Sequence, residues 1–396
     1  MEYILVVIPI VLTIIFSFIV RRLNLVKKLN NEGLLLPSLI VPTVSTLLLI
    51  LIMSQIMRYE NFKDTEYLSY YYTKIRHTDR WNEYIHRTCT RRVPTGIDSK
   101  GHTTYRTETY DCSYVENHPE RWLKYDNSGE EEYISEEEFM RIKSLWKTPM
   151  VFVDMHRHYY TIDGDAQEYY WNNNWRDCLT YTIEHNYENR ILGSESVLKY
   201  QKITPEEAKE LGLFEYPSVD RNYDQNPILG YSATRDEIKR FQFLNSYYGK
   251  NKQFRVFVLI YPSRSGVQIT EDQKAYWQGG NKNELIICIG IDGDKKIKWA
   301  NCFSWQSNPE LDIRCRNFLL EQKQLNLMSL SNWIIKHINL WERRQFSEFK
   351  YIQSFLTGDQ IIGITWTVIG LNILLIVIFV VISFKTGIIN KYEQNN

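Results

Sequence analysis

Three long stretches of the chain carry no charged side chain, and they constrain its fold more than any other feature. They cover residues 3–20, 34–56 and 361–384 of a chain of 396 residues. An α-helix rises about 1.5 Å per residue, so such stretches approach or span the roughly 30 Å hydrocarbon core of a membrane. The sequence therefore predicts three transmembrane helices, with a helical hairpin at residues 1–57 and a third helix near the end of the chain.

A cleaved signal peptide is the natural alternative for the first stretch. Such peptides begin with basic residues and end at a cleavage site made of small residues. Here the amino-terminal flank is Met1-Glu2, and no small-residue cleavage site precedes Arg21. The sequence therefore favours a retained span.

The charges between the spans predict the orientation of the chain. The loop at 21–33 contains one acidic residue, and its four basic residues are Arg21, Arg22, Lys27 and Lys28. The tail at 385–396 has the same bias, with two lysines and one glutamate. Because basic segments beside membrane spans stay in the cytoplasm, we expect the loop and the carboxy terminus inside. The amino terminus and residues 58–360 are then periplasmic or extracellular, and the lipid bilayer is the first partner of the protein.

Composition describes the remainder of the chain. The whole sequence has 47 acidic and 47 basic residues, and its mean hydropathy is negative despite the apolar stretches. The apolar residues are therefore concentrated in a few segments, and the rest is a polar globular region. Balanced charge gives no indication of a nucleic-acid partner, which would be marked by excess basic residues.

Residues 58–360 are predicted to form one large mixed α/β domain in two parts. The first part, 58–196, is expected to begin with an amphipathic helix at about 65–80 and to continue mainly as β-structure. A hairpin at about 84–114 precedes one helix that begins after Ser135, whose capping box is followed by apolar residues. The turn Asp163-Gly164 then predicts a second hairpin.

The second part, 197–360, alternates helices and strands in the order α-α-β-α-β-β-α-α. Thr204-Pro205 and Thr234 are typical helix starts. The apolar runs at 254–261 and 284–291 are typical of strands that are buried on both faces of a sheet. Two helices at about 310–327 and 332–355 are expected to end the domain. The overall fold class is a membrane-anchored α+β protein whose second part is an α+β sandwich.

All six cysteines lie in the predicted outer domain, at Cys89, Cys112, Cys178, Cys288, Cys302 and Cys315. Folding the hairpin about its Pro94–Gly101 tip brings Cys89 near Cys112, which predicts a disulfide in an oxidising compartment. That bridge would close a loop of about 24 residues and stabilise the fold by about 3 kcal/mol in the chain-entropy model. Two free thiols are the alternative. The pairing of the other four cysteines stays open.

The candidate metal ligands are Asp154, His156 and His158. Side chains on a strand alternate between its faces, so these three share one face with Cα atoms about 6.5 Å apart. Two imidazoles and a carboxylate suit a zinc ion or a similar ion. No further residue clearly completes the set, and a histidine-rich strand that faces solvent is the alternative. Nucleotide-binding, hydrolase and metalloprotease motifs are absent from the sequence.

Four segments resemble those of an uncharacterised family of bacterial and phage membrane proteins with a large extracytoplasmic domain. They are DCSYVENHPERW at 111–122, FVDMHRHYYTIDGD at 152–165, AYWQGGNKNELIICIG at 275–290 and WANCFSW at 299–305. The resemblance implies a membrane location. The family has no assigned activity, so it implies no site residue and no cofactor.

These features together predict a binding protein of the cell envelope. We expect a membrane-anchored extracytoplasmic domain that binds another protein or a cell-wall component. The alternative is a metal-dependent hydrolase that uses Asp154, His156 and His158. A transporter is disfavoured because the spans contain no ionisable residue to mark a translocation path.

Overall fold

A computed structural model describes residues 7, 11, 14, 15, 35–147, 150–153, 164–192, 200–219, 225–345, 347, 349–352 and 356–393. It is a mixed α/β protein. The α-helices of these residues are α1 (Leu35–Glu60), α2 (Glu136–Trp146), α3 (Pro205–Leu211), α4 (Arg235–Lys252), α5 (Ile269–Tyr276), α6 (Glu310–Gln322), α7 (Leu327–His337) and α8 (Gly358–Glu393).

The strands are numbered in chain order. They are β1 (Lys63–Thr78), β2 (Trp81–Ile85), β3 (Thr88–Ile97), β4 (Thr103–Asp111), β5 (Tyr114–His118), β6 (Arg121–Asp126), β7 (Glu131–Ile134), β8 (Val151–Val153), β9 (Ala166–Tyr170), β10 (Thr180–Glu188), β11 (Ile228–Leu229), β12 (Arg255–Pro262), β13 (Glu284–Ile291) and β14 (Ile297–Ser304). The chain divides into two compact units. One comprises the described parts of Met1–Thr65, Asn186–Lys199 and Gln345–Asn396, and the other those of Glu66–His185 and Tyr200–Arg344.

The first unit contains the helix pair α1 and α8. Ile50, Ile364 and Val368 are buried between the two helices, and the Asn372 amide donates a hydrogen bond of 3.4 Å to the buried Thr46 hydroxyl. Among the described residues, one helical segment is long and apolar enough to cross a membrane, and it covers Gly358–Leu375. Helix α1 coincides with the predicted second span at 34–56. The count of three spans stays a prediction.

The second unit opens with a six-stranded sheet in the order β7-β6-β1-β9-β8, to which β10 adds by pairing with β1. The helix predicted at 65–80 is wrong, because these residues form the central strand β1. This segment is rich in Tyr and Thr, which favour strands. It pairs with β6, β9 and β10, and Ile75 from it packs with Phe139 and Trp146 of α2.

Two narrow ribbons extend from this sheet. Strands β2 and β5 pair with each other, and β3 pairs with β4 in the predicted hairpin. The predicted disulfide is confirmed: Cys89 and Cys112 have an S–S distance of 1.92 Å and a Cα–Cα distance of 5.8 Å. The bridge joins the base of the hairpin, where the Cys112 amide donates to the Arg87 carbonyl at 2.9 Å.

The second sheet has the order β11-β12-β13-β14. Alternate residues of β12 and β13 face two separate apolar cores. One core includes α4, α6 and α7, and the other includes α3 and α5. Strands β11, β12 and β13 are parallel and are joined through α4 and α5, whereas β14 is antiparallel. The predicted sandwich therefore contains parallel crossover units, with helices on both faces of the sheet.

Most helix starts in this region agree with the sequence. Thr204 and Thr234 form capping boxes with Glu207 and Glu237. The helix predicted at 332–355 is wrong in extent, because α7 covers Leu327–His337 and is followed by a short 3₁₀ turn at Ile338–Leu340. The chain leaves the helix there because Trp341 is buried against Phe254, with the ring centroids 4.9 Å apart.

Candidate functional site

The predicted metal ligands Asp154, His156 and His158 lie outside the described residues. Strand β8 ends at Val153, and the described chain resumes at Gly164, next to β9. The DxHxH site therefore stays a prediction. Of the candidate residues, the structure brings together the disulfide pair Cys89 and Cys112.

The remaining four cysteines are not disulfide-bonded. Cys302 and Cys315 lie close enough for a thiol hydrogen bond, and this contact together with burial raises the pKa of Cys302 well above its usual range. Cys288 is completely buried. The thiols of Cys288, Cys302 and Cys315 belong to the packing of the second sheet.

The loop at 276–283, between α5 and β13, is closed by hydrogen bonds to the side chain of Glu284. The Glu284 side chain is fully buried. Its Oε2 accepts from the Asn281 amide nitrogen at 2.9 Å, and its Oε1 accepts from the Asn281 side chain at 3.1 Å and from the Tyr216 hydroxyl. The Glu284 carboxylate therefore forms its hydrogen bonds within the protein.

A large open groove lies on the six-stranded sheet and has a volume of about 940 Å³. We call it the acidic groove. Its lining comes from strands β1, β6, β7 and β10, from helix α2 and from the connections between them. The lining residues are Tyr72, Lys124, Asp126, Glu130, Glu131, Glu132, Ser135, Glu137, Glu138, Arg141, Leu179, Thr180, Tyr181, Ile183 and Glu184.

Local hydrogen bonds fix the strand turn and the helix that supply the carboxylates. Asp126 closes the turn after β6, because its Oδ1 accepts from the Ser128 and Glu130 amide nitrogens at 2.7 and 3.0 Å. Ser135 begins α2, where its hydroxyl accepts from the Glu138 amide nitrogen at 3.1 Å. The turn and the helix start are therefore built by side chains that also line the groove.

Two stacked tyrosines provide the aromatic part of the lining. The rings of Tyr72 and Tyr181 lie 4.8 Å apart at an interplanar angle of 13°. The Tyr181 hydroxyl donates to Asp126, and the Tyr72 hydroxyl lies 3.4 Å from Glu132. Burial raises the pKa of both tyrosines, and the neighbouring carboxylates raise it further. Both phenols therefore stay protonated and neutral at physiological pH.

Lys124 shows how the groove holds a positive charge. Its side chain is 9% exposed, and its ammonium lies 3.2 Å from Glu132 and 3.1 Å from Glu138. The same ammonium lies 4.5 Å from the centre of the Tyr72 ring, which is a cation–π contact. Two carboxylates and the face of a tyrosine ring together form a binding position for one ammonium group.

The groove is strongly negative in a chain without net charge. Seven carboxylates line it against Lys124 and Arg141, which gives a formal charge of about −5. The carboxylates of Glu130, Glu131 and Glu184 are exposed. A concave surface lined by one sign of charge focuses the field and attracts ions of opposite charge.

The carboxylates are spread along the groove and do not converge on one point. Within the part of the chain that the structure describes, two groups of three ligating side chains bring their atoms within 4.8 Å of one another, and neither includes a groove residue. The geometry therefore fits an extended ligand with several positive charges better than a single metal ion.

Sequence reasoning did not find this groove. The acidic clusters at 130–132 and 136–138 flank a helix start, where acidic side chains are typical surface charge, and Glu136–Glu138 do form the first turn of α2. The short distance in sequence between these two clusters is the feature that could have indicated the groove. Tyr181 and Glu184, which complete the lining, come from a distant strand.

The chain matches no protein-family model, no curated protein and no solved structure.

Proposed function

We propose that this chain is a membrane-anchored extracytoplasmic binding protein of the cell envelope, and that its acidic groove binds a basic segment of a partner protein. The observation that carries the proposal is the concentration of about five negative charges beside stacked tyrosines in a chain whose net charge is zero. Nucleic acid and anionic wall polymers would be repelled from such a surface.

The membrane part of the proposal rests on the apolar surface of the first unit. Leu48 and Leu51 of α1 are 58% and 60% exposed, and Trp366 of α8 is 69% exposed. Apolar side chains that cover the outer surface of a helix pair need an apolar environment. We propose three spans, at 3–20, 34–56 and 361–384, with the domain outside as the basic loop at 21–33 requires.

The Cys89–Cys112 pair supports the same orientation. Disulfides persist in oxidising compartments such as the periplasm and the cell exterior, and they are rare in the cytoplasm. The pair staples a hairpin of exposed strands, and isolated two-stranded hairpins are marginal in water.

The ligand class follows from the groove itself. Lysine and arginine side chains fit sites made of carboxylates and aromatic faces, as Lys124 does within the protein. A cavity of about 940 Å³ with an open side has room for several residues of an extended peptide. Attachment to the membrane would favour partners whose basic segments lie near the bilayer surface.

Binding of a fluorescent oligolysine peptide to the full-length protein in detergent tests this proposal. The variant E130K/E184K changes two exposed groove residues, and each change adds two charges, which takes the groove from about −5 to about −1. We expect at least a tenfold increase in Kd, equivalent to about 1.4 kcal/mol, and weaker binding at higher salt.

The matched control is E206K/E210K, which makes the same charge change at exposed positions of α3 outside the groove. It should bind the peptide as the unaltered protein does. Equal loss in both variants, or no binding of the peptide at low salt, would contradict the proposal.

The metal-dependent hydrolase predicted from Asp154, His156 and His158 is the alternative function. It depends on residues outside the described part of the chain, and its first test is whether the H156A/H158A variant holds less metal than the unaltered protein. A structural metal site retains its ion without added metal. Less than about 0.1 metal ion per chain would exclude this alternative.

A further inference from the structure

A second set of polar residues lies at residues 77–83 and 116–122, where the β1–β6 pair of the six-stranded sheet continues into the β2–β5 ribbon. We call it the His–Trp ribbon. His77 is paired with Trp122 across strands β1 and β6, and Trp81 is paired with His118 across β2 and β5. The same pairing thus occurs twice, with the two residue types exchanged between the strands.

Each imidazole is held flat against its tryptophan. The His77 and Trp122 rings lie 5.5 Å apart at 9°, and the Trp81 and His118 rings lie 4.9 Å apart at 15°. Stacking fixes the plane of each imidazole. Within that plane, the Nε2 atoms of His77 and His118 lie 2.7 and 2.9 Å from carboxylate oxygens.

Two carboxylates lie beside each Nε2 atom. His77 Nε2 is 2.7 Å from Glu120 Oε1 and 3.6 Å from Asp79 Oδ1. His118 Nε2 is 2.9 Å from Glu83 Oε2, and Glu116 supplies the third ligand atom of that group. In each group, all three ligand atoms lie within 4.8 Å of one another.

The distances match the needs of a tetrahedral metal ion. Zinc binds imidazole nitrogen and carboxylate oxygen at about 2.0 Å, which places its ligand atoms roughly 3.3 Å apart. The two measured distances from His77 Nε2, 2.7 and 3.6 Å, lie on either side of that value. Small side-chain rotations of exposed carboxylates would therefore complete three coordination positions.

A histidine–carboxylate ion pair is the simpler interpretation of each group. The number of carboxylates in each group favours a metal site over an ion pair. One imidazolium can balance one carboxylate, and each group contains two. Glu83 and Glu116 lie directly opposite each other in the ribbon. Like charges opposite each other destabilise paired strands, and a two-stranded ribbon is marginal without help.

We propose that each group binds one divalent transition-metal ion, with His77, Asp79 and Glu120 as one ligand set and Glu83, Glu116 and His118 as the other. Zinc is the ion that this donor set suits best. A bound cation would remove the repulsion between the carboxylates and stiffen the ribbon that leads to the disulfide-bonded hairpin. The proposal does not depend on the acidic groove or on the function assigned to it.

The test is zinc binding to the full-length protein in detergent, measured by equilibrium dialysis and elemental analysis after removal of metal with a chelator. We expect H77A and H118A each to lose one zinc ion per chain, and H77A/H118A to lose both. The control H86A/H102A changes two histidines of the exposed ribbons outside these groups and should retain both ions.

A second variant guards against loss of folding. E83Q/E120Q keeps both His–Trp stacks and removes one carboxylate charge from each group, so zinc should bind at least tenfold more weakly while the Cys89–Cys112 disulfide still forms. Separately, H156A/H158A should leave these two ions in place. Zinc content that is unchanged in H77A/H118A, or loss of both ions in H156A/H158A, would overturn the proposal.

Discussion

The two large sheets of the second unit differ in how far helices cover their faces. Strands β12 and β13 are buried along nearly their whole length, and helices cover both of their faces. The sheet around β1 packs against α2, and its Tyr71 ring contacts Phe243 of α4, but part of its surface carries the charged and aromatic side chains of the acidic groove. Among the described residues, β12 and β13 therefore offer no exposed face to a ligand.

This difference assigns separate roles to the two regions. A sheet with two apolar faces gains stability from burial, at about 25 cal/mol per Å² of apolar surface. The partly open sheet gives up part of that gain and displays the acidic groove and the His–Trp ribbon. We therefore expect core substitutions in the covered sheet to act on stability, and substitutions in the open sheet to act on binding.

One buried ion pair in the open sheet is an exception to this rule. Its loss should have the largest effect on the free energy of unfolding. Glu66 is completely buried at the start of the sheet, and its Oε2 lies 2.7 Å from the Arg343 guanidinium. His185 contacts the other carboxylate oxygen at 3.0 Å. Replacing Glu66 with glutamine removes the buried carboxylate charge of this ion pair, which costs about 3–5 kcal/mol.

The measurement for Glu66→Gln is a guanidinium titration of the protein in detergent, followed by tryptophan fluorescence. The double variant E66Q/R343M should recover much of the loss, because it removes both charges of the buried pair. Glu184→Gln is the control, since Glu184 is exposed on β10, and it should change the free energy of unfolding by less than about 0.5 kcal/mol.

A matched pair of isoleucines compares the two sheets directly. Ile287 of β13 is completely buried, whereas Ile183 of β10 is half-buried and lines the groove. Ile287→Ala creates a cavity in a packed core and should lower the free energy of unfolding by about 2–5 kcal/mol. Ile183→Ala should lower it by less than about 1 kcal/mol. Equal losses in the two variants would show that the open sheet is packed as tightly as the covered one.

Asp312 predicts a pH dependence for the covered region. Burial raises the pKa of its carboxyl to about 6, although hydrogen bonds from Ser304 and Gln306 act in the opposite direction. The folded protein therefore binds a proton more tightly than the unfolded chain does, and stability falls as the pH rises from about 4 to about 6. The difference between the pKa in the folded protein and that in the unfolded chain corresponds to at most about 3 kcal/mol.

Thermal unfolding between pH 4 and 8 measures this effect. Asp312→Asn removes the titrating group. The Tm of this variant should therefore decline less between about pH 4 and pH 6 than the Tm of the unaltered protein does. Asp294→Asn, at a side chain that is 80% exposed, should retain the decline. The same decline in both variants would contradict the assignment to Asp312.

The elements that the sequence predicts correctly are those with local causes. The capping residues Ser135, Thr204 and Thr234 each act on a backbone group three residues away, so their helices follow from short motifs. The Cys89–Cys112 disulfide also follows from a hairpin closed by a nearby turn. Continuous apolar runs correctly predict the buried strands β12 and β13.

The errors concern elements whose state is decided by distant parts of the chain. Residues 65–80 have apolar side chains at spacings that fit a helix, but three strands pair with this segment and impose the extended form. The acidic groove is invisible in sequence for the same reason. Its lining combines residues 124–141 with residues 179–184, which meet because β6 and β10 both pair with β1.

The most direct test of the whole account is the side of the membrane on which residues 58–360 lie. Protease added to right-side-out vesicles should digest this region, and inside-out vesicles should protect it until detergent is added. Mass spectrometry of the surviving fragments identifies the protected region. Digestion in inside-out vesicles with protection in right-side-out ones would contradict the account, because the domain would then face the cytoplasm.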